Sequence, residues 1–241
     1  MAGKFRAIAV ELKSHAPFTL FGAATGLLCM VLFKGISQAL GETLFYVFHV
    51  GHVVLSAMVT AAMFRLHTKA SPLLLVVVIG LTGGLGVATL SDAVIPYVGE
   101  WTLGMRMSAH SHGPDAAGHE HGHDEAGHDH EAHGDEEGLA KRMHIGFVEK
   151  WYFVIPAAIV GVLIAMFRPR THVPHAGHVL LSTWASSFHV VMAMGGHLTV
   201  GQALGGFVWL FLAVWLPCCF SDIVFPLLFV KCGDTCPSCH H

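Results

Sequence analysis

His49 to Ser56 reads H-V-G-H-V-V-L-S, and His175 to Ser182 reads H-A-G-H-V-L-L-S; six of the eight positions agree. A second pair follows in the same order. Ser91 to Pro96 reads S-D-A-V-I-P and Ser221 to Pro226 reads S-D-I-V-F-P, four of six alike. His52 stands 40 positions before Asp92, and His178 stands 44 before Asp222. Matching Val and Leu is cheap between apolar segments. Matching two His, a Gly, a Ser and an Asp is not, so the chain reads as a duplication at long period.

The segments that carry these residues are otherwise apolar. Of 241 residues 54% are hydrophobic and only 12% charged, with a mean hydropathy of +0.60. Soluble chains carry about 25% charged residues. A soluble enzyme and a disordered protein are excluded on that ground. A nucleic-acid binder is excluded because Lys and Arg number 13 against 16 Asp and Glu, which leaves no cationic excess for phosphates. Nine of the 16 acidic residues fall between Ser108 and Gly138, so the rest of the chain is almost uncharged.

A membrane-spanning helix needs about 20 apolar residues. Six stretches qualify, at residues 17–33, 40–64, 71–98, 145–167, 174–194 and 200–230. Lys4 to Lys13 lead into the first without a small-residue cleavage site, so it is expected to stay as a signal anchor. With six spans both termini share a side. That side receives Lys4, Arg6, Lys13, Arg65, Lys69, Arg168, Arg170 and Lys231, against Lys34, Arg106, Lys141, Arg142 and Lys150 opposite. The excess of basic residues places the termini in the cytoplasm, in what is expected to be a bacterial inner membrane.

Each repeat unit then holds three spans. An odd number forces the second unit into the membrane upside down, which is the plan of many secondary transporters, with ion sites near the midplane. The expected fold is all-α, with about six transmembrane helices in two inverted three-helix repeats. Residues 1–107 form the first, 108–142 a loop, 143–231 the second and 232–241 a tail.

The duplicated residues are the polar ones. Asp92 and Asp222 read as the acidic residues well inside spans, and a charge at the bilayer centre costs at least about 2.5–3.5 kcal/mol. His49 and His52 share one helix face, with Ser56 four residues further on; His175, His178 and Ser182 repeat the pattern. Neutral imidazoles with carboxylates suit Zn²⁺, Ni²⁺, Fe²⁺ or Co²⁺. Six candidate ligands result: His49, His52, Asp92, His175, His178 and Asp222. Ser56 and Ser182 are expected to fix the imidazole orientations. Pro96 and Pro226 suggest helix breaks beside the Asp residues. The same histidines could instead tie the helices together by hydrogen bonds, or carry protons.

Ser108 to Gly138 contributes His110, His112, His119, His121, His123, His128, His130 and His133 among acids, Gly and Ala. It has no apolar face and reads as a disordered metal-capturing loop. The tail K-C-G-D-T-C-P-S-C-H-H offers Cys232, Cys236, Cys239 and His240 as thiolate-rich ligands, but also spells the C-x-x-C-H pattern of c-type haem attachment. Cys218 lies four before Asp222 and on the same face, though a buried Cys is usually a small hydrophobe. His189, eleven residues after His178, lies on the face of His178 as well.

In layout the chain resembles polytopic heavy-metal transporters with a histidine-rich loop, such as the ZIP proteins and the cation diffusion facilitators. The H-N-x-x-D, H-E-x-x-H and H-x-x-x-D helix motifs of those families are absent, so the resemblance implies the substrate class and no site residue. The expected function is transport of a divalent transition metal ion, zinc foremost, with no enzymatic activity. No Walker A pattern occurs, so transport would be secondary or channel-like. A membrane redox protein with His-ligated haem is the alternative, and a di-metal oxygenase would need more clustered carboxylates. The lipid bilayer and the metal are the expected partners, and a homo-oligomer is left open.

Overall fold

The computed structural model describes residues 2–68, 72–105, 150–168, 172–220 and Phe225. Among them the chain is helical apart from short turns and has no strand. The helices are α1 (Ala2–Phe33), α2 (Gln38–His67), α3 (Leu73–Thr89), a π-helical turn (Leu90–Val94), α4 (Ile95–Thr102), α5 (Trp151–Phe167), α6 (His172–Ala193) and α7 (Val200–Cys219). The π turn joins α3 and α4 without a gap.

Among the described residues four segments are long and apolar enough to cross a membrane: Ala16–Phe33, Gln38–Leu66, Leu73–Thr102 and Val200–Cys218. α5 is equally apolar but has 17 residues, and α6 dilutes its apolar residues with His, Ser and Thr. The described residues are thus those of an all-helical membrane protein. The third apolar stretch runs on to Thr102, past the expected end at residue 98.

Local chemistry sets the helix ends. Ser37 caps α2, its hydroxyl accepting from Leu40 N. Thr199 and Gln202 form a reciprocal capping box at the start of α7. Arg65, in the last turn of α2, donates Nη1 to Ala165 O (3.1 Å) and to Met166 O, carbonyls that the end of α5 leaves open. Within the helices, Thr43, Thr82, Thr89, Thr183 and Ser187 return their hydroxyls to the carbonyl four residues back. That satisfies them where water is absent.

α2 and α6 form the centre and cross antiparallel. A Cβ on Gly51 would stand 3.0 Å from Leu181 Cδ1, and one on Gly177 would stand 2.9 Å from Leu55 Cδ1. Four residues forward on α2 is thus four back on α6. α2 packs also on α3 and α5, and α6 also on α1 and α7. Two apolar clusters lie on either side of this pair. One joins Val53, Ala57, Ala61, Ile79, Ala158 and Val162 across α2, α3 and α5; another joins Ala23, Met30, Val190, Val191 and Leu210 across α1, α6 and α7. The remaining helices turn large apolar side chains outward, including Phe21 and Leu32 on α1, Leu74 on α3, Phe153 and Phe167 on α5, and Leu204 on α7. An apolar girdle this extensive is what a hydrocarbon environment calls for. Trp101, Trp151 and Tyr152 are exposed on either side of the loop, the amphipathic side chains favoured at a membrane interface.

Small residues let the inner helices approach. A Cβ on Gly84 would lie 2.7 Å from Ala57 Cα, whereas one on Gly86 would meet nothing within 4 Å. Gly84→Val should therefore cost about 1–3 kcal/mol through overpacking, while Gly86→Ala should stay within about 0.5 kcal/mol of the parent. Unfolding of the purified variants in detergent measures both.

Candidate functional site

Asp92 occupies the π turn, and Pro96 explains why the turn is there. The Ile95 N–H bonds to Leu90 O, five residues back. The next such bond would run from residue 96 to Ser91 O, but proline has no N–H to give. Ser91 O accepts instead from Ser186 Oγ of α6 at 2.8 Å. The expected helix break is thus a local widening with its exposed carbonyl filled by a neighbour. Single π turns of this kind recur at functional sites.

The widened turn aims the Asp92 carboxylate into the centre of the bundle, where it is fully buried. Oδ2 faces Nδ1 of His49 at 2.9 Å and Nδ1 of His52 at 2.7 Å. Oδ1 accepts from Ser91 Oγ at 2.7 Å and from Ser182 Oγ at 2.8 Å. Four hydrogen bonds use the carboxylate's whole accepting capacity, about two per oxygen. Ser182 therefore holds the carboxylate, where the sequence led us to expect it on an imidazole.

A carboxylate has no proton to donate, so both imidazoles donate from Nδ1. Nε2 of each ring is then the nitrogen with the lone pair. Nε2 of His49 and Nε2 of His52 are buried and have no hydrogen-bond partner among the described residues. A carboxylate behind an imidazole, with the far nitrogen open, is the arrangement that orients metal-binding histidines.

α6 brings the second set of histidines to the same place. The His178 ring stacks on His52, with centroids 5.6 Å apart and planes within 8°. His175 meets His178 edge-on at 4.9 Å and is half-buried. Cys218 from α7 closes the group: its Sγ and one nitrogen each of His52 and His178 lie within 4.8 Å of one another, all three residues buried. His49, His52, Asp92, His175 and His178 thus gather at one level of the bundle. Asp222, the loop histidines from His110 to His133, and Cys232, Cys236, Cys239 and His240 lie outside the described residues. Ser56 is buried, and its hydroxyl has no partner among the described residues.

A second carboxylate is buried that the apolar stretches did not include. Glu100, beyond the expected end of the third stretch, is 1% exposed and meets Nδ1 of His189 through Oε1 at 2.7 Å. His189 does face inward from α6, as its spacing from His178 suggested. Phe45 stands between the two groups, stacked on His49 at 5.4 Å and edge-on to His189 at 5.8 Å. The sequence signal for Glu100 was weak: no repeat copy of it exists, and it sits where spans commonly reach water.

The hydrogen-bond pattern sets a stability order. Ser182→Ala removes one of four donors to Asp92 and should cost about 1 kcal/mol. Asp92→Ala strands four buried donors at about 1–3 kcal/mol each, so its loss should be several-fold larger. Thermal unfolding of the two variants in detergent checks the order; equal losses would mean that the carboxylate does not organise the site. No family model matches this chain, and neither a curated protein nor a solved structure is similar to it, so the group of His49, His52, Asp92, His178 and Cys218 has to be read from its own geometry.

Proposed function

We propose that this protein carries a divalent transition-metal ion across the membrane through a site on α2 and α6. One observation carries the reading. Two buried imidazoles are held through Nδ1 by a shared carboxylate, and their Nε2 atoms have no partner among the described residues. A purely structural His would be expected to use both nitrogens, since an unmade buried hydrogen bond costs about 1–3 kcal/mol. A lone pair kept open in the interior suits a ligand that arrives and leaves. His49, His52, His175 and His178 are the ligand candidates. Asp92, whose lone pairs are spent on its four donors, acts through the rings that it orients and supplies negative charge opposite the cation.

Six spans and an inverted duplication are part of the same proposal, and the packing supports them. Exchanging α1 with α5, α2 with α6 and α3 with α7 maps the principal helix pairings onto one another. α2 on α5 corresponds to α6 on α1, and α3 on α5 to α7 on α1. The contacts of Gly51 with Leu181 and of Gly177 with Leu55 are images of each other under the repeat. The antiparallel crossing is the one that inversion requires. Phe220, just before the second S-D motif, is π-helical, as Leu90 is before the first. In the repeat Asp222 stands where Asp92 stands, and Ser56 where Ser182 stands. The histidines from His110 to His133 would capture metal.

The test is uptake of Zn²⁺, Co²⁺ or Ni²⁺ by proteoliposomes containing a metal-sensitive dye. His52→Ala and His178→Ala should lower uptake at least about tenfold, and Asp92→Asn about 10–100-fold, the usual cost of losing a ligand-orienting carboxylate. Deleting residues 108–138 should reduce the metal bound per chain yet leave uptake at saturating metal within about twofold, because the ligand candidates on α2 and α6 lie outside that segment. Absence of uptake by the intact protein for all three ions would end the metal-transport reading. Loss of uptake at saturating metal on loop deletion would move the site to the loop.

A further inference from the structure

Cys218 belongs to an apolar cluster and also reaches the buried histidines. It is a thiol in the last turn of α7, 1% exposed, packed with Val87, Val179, Val214 and Phe18. Its Sγ and a ring nitrogen from each of His52 and His178 are mutually within 4.8 Å, so α2, α6 and α7 each point one donor atom at a common space. Around a tetrahedral ion with metal–N about 2.0–2.1 Å and metal–S about 2.3 Å, donor atoms stand roughly 3.3–3.6 Å apart. The three need to close by only about 1 Å, within reach of side-chain rotation.

We propose that Cys218 is a direct ligand of the transported ion, so that His52, His178 and the Cys218 thiolate bind it together. The inference rests on the metal-transport reading and deepens it by naming the substrate class. A thiolate selects borderline and soft divalent ions, and the ions that prefer oxygen, Mn²⁺, Mg²⁺ and Ca²⁺, are poorly held by two imidazoles and a sulfur. The substrate is therefore of the Zn²⁺, Cd²⁺ or Co²⁺ kind. As the metal–sulfur bond forms, the S–H bond breaks and one proton leaves to solvent.

The experiment uses the full chain with Cys29, Cys219, Cys232, Cys236 and Cys239 replaced by Ser, which leaves Cys218 as the one thiol of the six cysteines. This protein is titrated with Co²⁺. The expected spectrum has the visible bands of four-coordinate cobalt together with a near-ultraviolet sulfur-to-cobalt charge-transfer band. Adding Cys218→Ser should abolish the charge-transfer band and keep weaker visible bands. Cys218→Asp should shift uptake in proteoliposomes from Zn²⁺ toward Mn²⁺ by about tenfold or more, since it exchanges a soft donor for a hard one. Visible bands without the charge-transfer band in the single-thiol chain would overturn the role of Cys218 and leave the His site standing. No cobalt bands in either that chain or the parent would overturn the metal site itself. The decisive spectrum comes from the chain that keeps Cys218, so the result does not hang on the folding of Cys218→Ser.

Discussion

The buried carboxylate of Asp92 is the constraint around which the rest is arranged. A lone charge in a helix bundle surrounded by hydrocarbon would be costly enough to keep it out. Here it is met by two imidazoles, one neighbouring hydroxyl and one hydroxyl from another helix. Those four donors come from α2, the π turn and α6, so satisfying one side chain fixes how three elements meet. The small residues at the seams, Gly84 against Ala57 and Gly51 and Gly177 against leucines, bring the backbones near enough for those short bonds.

The outer helices are complementary to this polar centre. α1, α3, α5 and α7 shield α2 and α6, and the large apolar side chains exposed on them include leucine, phenylalanine, valine and isoleucine. α6 falls short of the apolar character of the four candidate spans for that reason: Ser182, Thr183, Ser186, Ser187 and His189 are all buried against protein. A helix polar on its inner side and flanked by apolar neighbours can sit in a membrane without being apolar itself, because the polar face never meets lipid.

The polar core was legible in the sequence because duplication and expense coincided there. Two His, a Ser and an Asp repeated inside apolar segments stand out against a background of Val and Leu, and His49, His52, Asp92, His175 and His178 do gather. Glu100 was not legible, since it has no copy and lies just past an apolar stretch where a carboxylate needs no explanation. Cys218 gave a faint signal, because thiols are common in apolar cores without any role. The effect of Pro96 was half legible. Its missing N–H disturbs a helix by rule, but whether the helix breaks or widens depends on a donor for the freed carbonyl. That donor, Ser186, is 95 residues away in the chain.

The π turn also works as a phase adjuster between two helices that carry different counts. On α6 the partners Ser182 and His189 are seven residues apart, two turns of helix and one face. On the rod of α3 and α4 their mates, Asp92 and Glu100, are eight apart. In an unbroken α-helix that eighth residue would swing Glu100 about 80° away from the Asp92 direction, since each residue turns about 100°. The i to i−5 bond from Ile95 to Leu90 absorbs the extra residue, and the two carboxylates come back into line along α6. One widened turn thus lets a rod with an odd residue mesh at two levels with a regular one. Removing Leu90 would leave the two carboxylates eight apart on a regular helix and about 80° out of line, whereas removing Ala93 or Val94 would leave them seven apart, on one face without the widened turn.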